Sequence, residues 1–441
     1  MVQLSCFVLV SIAWTHTALA EGSFRASCVK VDITPAHPVW MHQFGKRQST
    51  GVLHKIYHRV VAMDDGKTEF YLVSSELIGF SAGFYDSFCD RLEKETGIKR
   101  EQLWWTVTHT HAAPSVGKPL SNQLRPDQDV SGENPEFTQN LQDLLIHAIK
   151  QARDEMVPAR LGIGYGKSWA NINRRSRDVD GRINLGKNPL GPVERTINLI
   201  SLQRTDGSPI TLIANYPIHG TVLGYYANYG IGNTRISGDL QGVVAEYVEE
   251  QTGAPLLFIV GAAGNIAPIY TRAVDEHRGN LTEFNVLIGG KILEARESIV
   301  SHTRNVQFTI EKPLVVHTPL RPGFGWPDEL AKYSRTSSTG LREILFPVSF
   351  LRINKDIVIW SAPCELFSEI AMKVREESPF AHTFFFGYTN GTFGYLATRE
   401  AFVEGGYETE KASPFTPQVE DDLLDGVITS LNRFHGQLKG K

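Results

Sequence analysis

Cysteine is scarce, with four residues in a chain of 441 (Cys6, Cys28, Cys89 and Cys364), which excludes a disulfide scaffold at this length. Charge of one sign is also lacking. The formal net charge is -4 and no run of five like charges occurs, so nothing marks a nucleic-acid partner or a membrane-surface binder. Beyond the first twenty residues no segment approaches the ~20 apolar residues of a membrane span. Internal repeats and a linker that would separate two domains are absent as well. What remains is an ordinary globular composition, long enough to bury a large core as one big domain or two.

Residues 1–20 differ from the rest. Positions 7–13 are largely apolar, and Ala18-Leu19-Ala20 supplies a small-x-small pattern before Glu21, although Lys and Arg are missing from the first residues. This has the form of a secretory signal peptide cleaved near Ala20, leaving 21–441 as the mature chain, secreted or periplasmic. The alternative is a buried N-terminal helix. Export would remove Cys6 and leave three cysteines, enough for one disulfide and a free thiol, or for none. Asn280-Leu281-Thr282 and Asn390-Gly391-Thr392 are glycosylation sequons in a eukaryotic host.

Alternation and punctuation outline the chain. Positions 27–33 alternate with period two and stop at Thr34-Pro35, a strand. Stretches 57–63 and 68–74 flank the turn Asp64-Asp65-Gly66-Lys67. Ser81 can cap a helix that Gly97 ends. Aromatic and β-branched residues at 103–107 read as a buried strand, and the polar stretch 114–133 as a long loop. The clearest helix is 134–156, with Phe137, Leu141, Leu144, Leu145, Ala148, Ile149 and Ala152 on one face. Positions 171–192 are polar and Gly-rich and read as loop, while 196–202 and 209–215 pair around Asp206-Gly207. A helix from 240 to 248 precedes the apolar strand 256–260. Helix at 284–299, β-structure at 306–318, a strand pair around Asn354-Lys355-Asp356, a helix opened by Glu365 and an aromatic strand at 383–388 complete the outline. The class is α/β: one large domain, with hairpins making the sheets mixed.

Chemistry concentrates where apolar strands give way to loops. His109 and His111 follow 103–107; residues two apart in extended backbone share a face, so both imidazoles can face one cavity. They are zinc ligands or, more blandly, hydrogen-bonded loop histidines. His219 follows 209–215, with Gly220 permitting tight backbone. Glu365 follows 357–361 and is a helix-terminal charge or a metal ligand. Tyr395 ends a further segment of this kind. Two histidines and a carboxylate with an open position suit hydrolytic zinc sites, where the metal brings water's pKa toward ~7 and polarises a carbonyl. Arg174 and Arg175, in the polar stretch, read by themselves as two solvated charges.

These residues carry a resemblance. The run Val29-Lys30-Val31-Asp32-Ile33-Thr34-Pro35, then His109-Thr110-His111-x-x-Pro114, Asn171-Ile172-Asn173-Arg174, His219-Gly220-Thr221, Ser237-Gly238-Asp239 and Gly394-Tyr395 occur in one order through to about Tyr407. In this the chain resembles the catalytic domain of the neutral/alkaline non-lysosomal ceramidases. The resemblance implies one zinc per chain held by His109, His219, Glu365 and Tyr395, with His111, Arg174 and Tyr407 lining the site. Arg174 would hold substrate oxygens through paired donors, and His111 or Tyr407 would supply a proton or stabilise an oxyanion. Tyr395 as a ligand requires its phenol to be acidified by the metal.

Two departures stand out. Where the family's ceramidases carry serine in Gly-Asp-x-Ser-Pro, this chain has Gly264-Asn265-Ile266-Ala267-Pro268. Their immunoglobulin-like C-terminal domain has no counterpart in the 34 residues after Tyr407. The expectation is a secreted zinc amidohydrolase acting on an N-acyl, ceramide-like amide, without nucleic-acid partner or transmembrane segment. The alternatives are a zinc hydrolase of another amide or ester, and a binding protein that has lost turnover.

Overall fold

The computed structural model describes residues 23–42, 47–118, 132–223, 234–270 and 280–439. The expected signal peptide and most of the 114–133 loop lie outside them. The period-two stretch near the N-terminus forms the strand Arg25–Asp32, paired antiparallel with Tyr57–Asp64 from Arg25↔Asp64 to Asp32↔Tyr57. Both belong to an eight-stranded sheet. Its order is Leu256–Val260, Pro209–Tyr216, Thr196–Arg204, Val157–Lys167, Arg25–Asp32, Tyr57–Asp64, Glu69–Ser75 and Leu103–Val107.

Hairpins make most of these pairs antiparallel, but each edge pair is parallel: Glu69–Ser75 with Leu103–Val107, and Pro209–Tyr216 with Leu256–Val260. A parallel neighbour needs a crossover. Helix Ala82–Thr96 supplies the first and helix Asp239–Thr252 the second. The first helix starts where Ser81 Oγ accepts the Phe84 N–H and ends at Gly97, whose φ of 75° suits glycine. A second sheet holds Phe308–Ile310, Arg342–Ile353, Ile357–Ser361 and His382–Phe386, with Leu314–Pro319 and Ser334–Thr336 also along Arg342–Ile353. There too one pair is parallel, Ile357–Ser361 with His382–Phe386, joined through helix Ser368–Glu377.

The two sheets pack face to face. Met63, Leu72, Trp104 and Ile213 of the first meet Leu351, Ile359 and Phe386 of the second in one core. Because strand side chains alternate, Val60, Val73 and Trp105 face the other way, into helices Ala82–Thr96 and Pro135–Asp154. The second sheet's far face is covered by Ser368–Glu377 and by Val419–Lys439, through Leu423, Val427 and Leu431. The result is helix, sheet, sheet, helix, which accords with the expected mixed α/β class. Trp105 is fully enclosed against Phe80, Phe84 and Phe88, and its indole N–H donates to Ser75 Oγ at 2.8 Å. An aromatic buried to this extent contributes about 4 kcal/mol of hydrophobic stabilisation.

Several local expectations are corrected. The 171–192 stretch is no loop but the hairpin Asn171–Arg177 and Ile183–Asn188, with the side chains of Asn171, Asn173, Arg174 and Arg175 buried. Glu365 opens no helix; it lies in the short strand Glu365–Leu366, paired with Tyr395–Leu396. The 284–299 helix divides into a π-helical Asn285–Gly289 and an α-helical Gly290–Glu297. Cys28, Cys89 and Cys364 are all free thiols. Asn390, the second sequon, accepts the Trp105 backbone N–H through Oδ1 at 2.9 Å. Among the described residues no helix is long and apolar enough to cross a membrane.

One buried histidine makes the fold sensitive to acid. His58 is enclosed between its strand and helix Pro135–Asp154, with Nδ1 2.6 Å from Ser75 Oγ and Nε2 donating to the Leu141 carbonyl at 3.3 Å. Burial pushes its pKa down from 6.5 to about 4. A folded-state pKa below the unfolded one means stability that is complete above about 6.5 and is lost as pH falls toward 4. The loss from this group is about 3 kcal/mol. We expect His58→Gln, measured by denaturant unfolding at about pH 7 and 4.5, to lose distinctly less stability on acidification than the parent; equal losses would refute this account.

Candidate metal site

The loops that follow Leu103–Val107 and Pro209–Tyr216 meet at a bridge between Thr110 and Gly220, and Glu365, which follows Ile357–Ser361, reaches the same point. This is the position at which open α/β sheets build sites. After Val107 the chain does not stay extended: His109 has φ 57°. His109 and His111 do face each other, with Nε2 atoms 3.3 Å apart, but a left-handed turn brings them together and not the alternation of a strand. An αL histidine costs of order 1–3 kcal/mol and persists only where its surroundings impose it. Here the imposing contact is a parallel bridge between Thr110 and Gly220, with the His111 N–H donating to the Gly220 carbonyl at 2.9 Å. That bridge ties the loop after Leu103–Val107 to the loop after Pro209–Tyr216, and so sets His219 beside the pair.

The outward nitrogens of two rings are already committed. His109 Nδ1–H donates to the Ile78 carbonyl at 2.6 Å, and His219 Nδ1–H to Ala263 at 2.7 Å and Ile266 at 3.1 Å. Their Nε2 atoms are therefore acceptors, and both point at Glu365 Oε2, at distances of 3.3 and 3.1 Å. Burial and the neighbouring Arg174 push His219 down to about 4, and burial with His109 beside it holds His111 well below 6.5. At neutral pH His111 and His219 are therefore uncharged. A divalent cation satisfies several such acceptors at once, and Nδ1–H···carbonyl bonds are the usual support for ligating histidines. The ring nitrogens of His109, His111 and His219 lie within 4.8 Å of one another and can hold a metal ion.

Glu365 reaches the site from the second sheet. Its strand partner is Tyr395, so one short parallel ladder carries both. Tyr388, at φ 53°, donates its hydroxyl to Glu365 Oε2 at 3.4 Å and packs its ring 4.3 Å from that of His109. The Gly264 N–H donates to the Leu366 carbonyl at 2.8 Å, and a Cβ at Gly264 would sit 2.4 Å from the Glu365 carbonyl. Close approach of the 261–268 turn to the Glu365 strand thus requires glycine.

Arg174 lies on the strand Asn171–Arg177 and is buried, as is Arg175; neither is the solvated charge that composition alone suggested. Arg174 Nη1 donates to His219 Nε2 at 3.1 Å and Nη2 to the Tyr395 hydroxyl at 3.0 Å. Its Nε donates to Glu408 Oε1 at 2.9 Å. Tyr407, next to Glu408 on the short helix Tyr407–Glu410, places its ring 5.8 Å from that of Tyr395. All seven residues singled out in the sequence therefore converge on one region. Glu408 and Tyr388 carried no spacing signal, and nothing in the sequence indicated them. Asn265 was noted only as a departure; its amide donates to Glu369 at 2.7 Å, and its backbone carbonyl accepts the Arg174 N–H at 2.9 Å.

A profile of the family described as neutral/alkaline non-lysosomal ceramidase, N-terminal, matches residues 24–262. A crystal structure of neutral ceramidase from Pseudomonas aeruginosa superposes with a TM-score of 0.69 at 17% identity, covering 93% of this chain and 75% of that one. A structure described as ceramidase complexed with C2 gives 0.68 at 16% identity, covering 93% and 76%. No curated protein matches this chain.

The Thr110–Gly220 bridge yields a test. A Cβ at Gly220 would stand 2.8 Å from the His109 carbonyl and from Thr110 Cα. Backbone must move to admit it, and overpacking of this kind costs about 1–3 kcal/mol. Gly220→Ala should lower stability by that amount and weaken metal uptake, read by denaturant unfolding with and without chelator and by elemental analysis. Unchanged stability and metal content would show that the bridge does not hold the histidines together.

Proposed function

The chain belongs to the neutral/alkaline non-lysosomal ceramidase family and is a hydrolase of amide bonds; from that premise we propose a secreted, zinc-dependent amidohydrolase that releases the acyl chain of a ceramide-like lipid amide. The observation that carries the metal is the convergence of His109 Nε2, His219 Nε2 and Glu365 Oε2, with both Nδ1 positions spent on carbonyls. His109, His219, Glu365 and Tyr395 would hold the zinc. Bound there, it would supply Lewis acidity toward the substrate carbonyl and a nucleophilic water at neutral pH. Tyr395 takes part as phenolate only with that metal in place, since burial alone holds its pKa well above 10.

The other groups position substrate and move protons. Arg174, with Nη1 and Nη2 turned inward, holds substrate oxygens with a planar pair of donors. His111, kept neutral by its surroundings, accepts a proton during attack and returns it to the leaving amine. The Tyr407 hydroxyl is the donor to the developing oxyanion. Export is read from residues 1–20. The test is zinc content together with fatty-acid release from an N-acyl sphingosine panel, with and without chelator, for the parent and His219→Ala. We expect about one zinc per chain, chelator-sensitive release, and loss of both metal and thermal stability in the variant. Release untouched by chelator, or equal zinc in both proteins, refutes the proposal.

Ala267 supports a second substrate reading. It lies half-buried on Ile266–Pro268, opposite Ile172, one residue beyond the carbonyl that receives His219 Nδ1–H. A methyl there donates nothing to an oxyanion, and one lost donor costs on the order of 3 kcal/mol, about a hundredfold in rate. Turnover would then favour an acyl substrate with a better leaving group over ceramide. We expect Ala267→Ser to raise ceramide cleavage; parent and variant of equal rate would remove the argument. Asn265→Asp should not accompany it at first, because the new carboxylate would face Glu369 Oε2 where the Asn265 amide now donates at 2.7 Å.

A further inference from the structure

Glu408 is 1% exposed and bridges two arginines, Oε1 accepting Arg174 Nε at 2.9 Å and Oε2 accepting Arg175 Nη1 at 3.0 Å. The two partners differ in what else holds them. Arg175 also donates to Glu404 Oε2 at 3.2 Å and to the Gly405 carbonyl at 2.8 Å, so it is anchored on the 399–405 segment without Glu408. Arg174 has its remaining nitrogens on His219 and Tyr395, two groups of the metal site. A buried guanidinium 3.1 Å from His219 Nε2 repels a dication bound at that nitrogen unless its charge is balanced close by.

We propose that Glu408 is the counter-ion and positioning residue of the site. It neutralises Arg174, so that a fixed cation and a divalent metal occupy neighbouring positions, and through Nε it sets the plane in which the two inward nitrogens face the substrate. This rests on the metal reading given above. It also explains why Tyr407 and Glu408 share one short helix: the same turn brings the phenol to the site and the carboxylate behind it.

The experiment is a zinc-affinity cycle, by competition with a fluorescent chelator, on the full chain and on Glu408→Gln, Arg174→Met and the double variant. Removing the anion alone should weaken zinc binding about tenfold or more, and removing the cation alone should tighten it about threefold. The double variant should return to within about threefold of the parent, because the two charges act on the metal with opposite sign and largely cancel. If Glu408→Gln does not fold, Arg174→Met and the double variant, which leave no unpaired guanidinium at position 174, still read the effect of the Glu408 charge. Equal zinc affinity in those two, or Glu408→Gln within about twofold of the parent, overturns the inference. A parent that takes up no zinc overturns this inference and the metal reading together, whereas uptake indifferent to Glu408 overturns this one alone.

Discussion

Acceptor atoms crowd one point in this molecule, and much of its architecture supports that crowding. Glu365 Oε2 stands within 3.3 Å of two imidazole nitrogens whose hydrogens lie on the far sides of their rings. Left to themselves these groups would turn apart or take up water. They stay because each is held from behind: His109 by the Ile78 carbonyl, His219 by Ala263 and Ile266, and the Glu365 strand by its ladder to Tyr395 and by Gly264. The strain of an αL histidine and the close approach at Gly220 belong to the same constraint.

The sheets make that convergence possible. Three parallel pairs, two in the first sheet and one in the second, each require a helix to return the chain. Loops after one strand of each pair carry His109, His219 and Glu365, and the Thr110–Gly220 bridge and the contacts of Glu365 bring them together. Packing the sheets through Met63, Leu72, Trp104, Leu351 and Ile359 places Glu365 from one sheet against histidines from the other. The hairpin Asn171–Arg177 and Ile183–Asn188 adds Arg174 at the rim, and the 399–410 segment closes behind it with Glu404 and Glu408. Charges this deeply buried are tolerable because each guanidinium has a carboxylate and several acceptors around it.

Where the sequence reads well, a local rule was sufficient. The proline stop after Arg25–Asp32, the serine cap and αL glycine of Ala82–Thr96, and the apolar stripe of Pro135–Asp154 depend on neighbours in the chain. The misreadings share one cause. The start of the 171–192 stretch is polar because its side chains are satisfied by distant groups, Arg175 by Glu404 and Glu408 and Asn171 by the Pro217 carbonyl, so polarity there did not mean solvent. A carboxylate before an amphipathic run suits a helix terminus, but the strand partner of Glu365 lies thirty residues on, at Tyr395. The His109–Thr110–His111 spacing suggested a shared strand face, whereas a bridge to Gly220 does the aligning.

By itself the sequence determined which segments are apolar and alternating, where they stop, and which strand ends carry imidazole, carboxylate and phenol, because these follow from side-chain chemistry and short-range sterics. The ordered motifs pointed from there to the family. Only the tertiary structure decided that the carboxylate faces two imidazole Nε2 atoms, that Arg174 and Arg175 are buried, and that Glu408 joins them. Those relations are set by contacts between residues as far apart as Arg174 and Glu408. Such contacts are fixed by how two sheets pack and how three crossovers return the chain, and no local pattern encodes that distance.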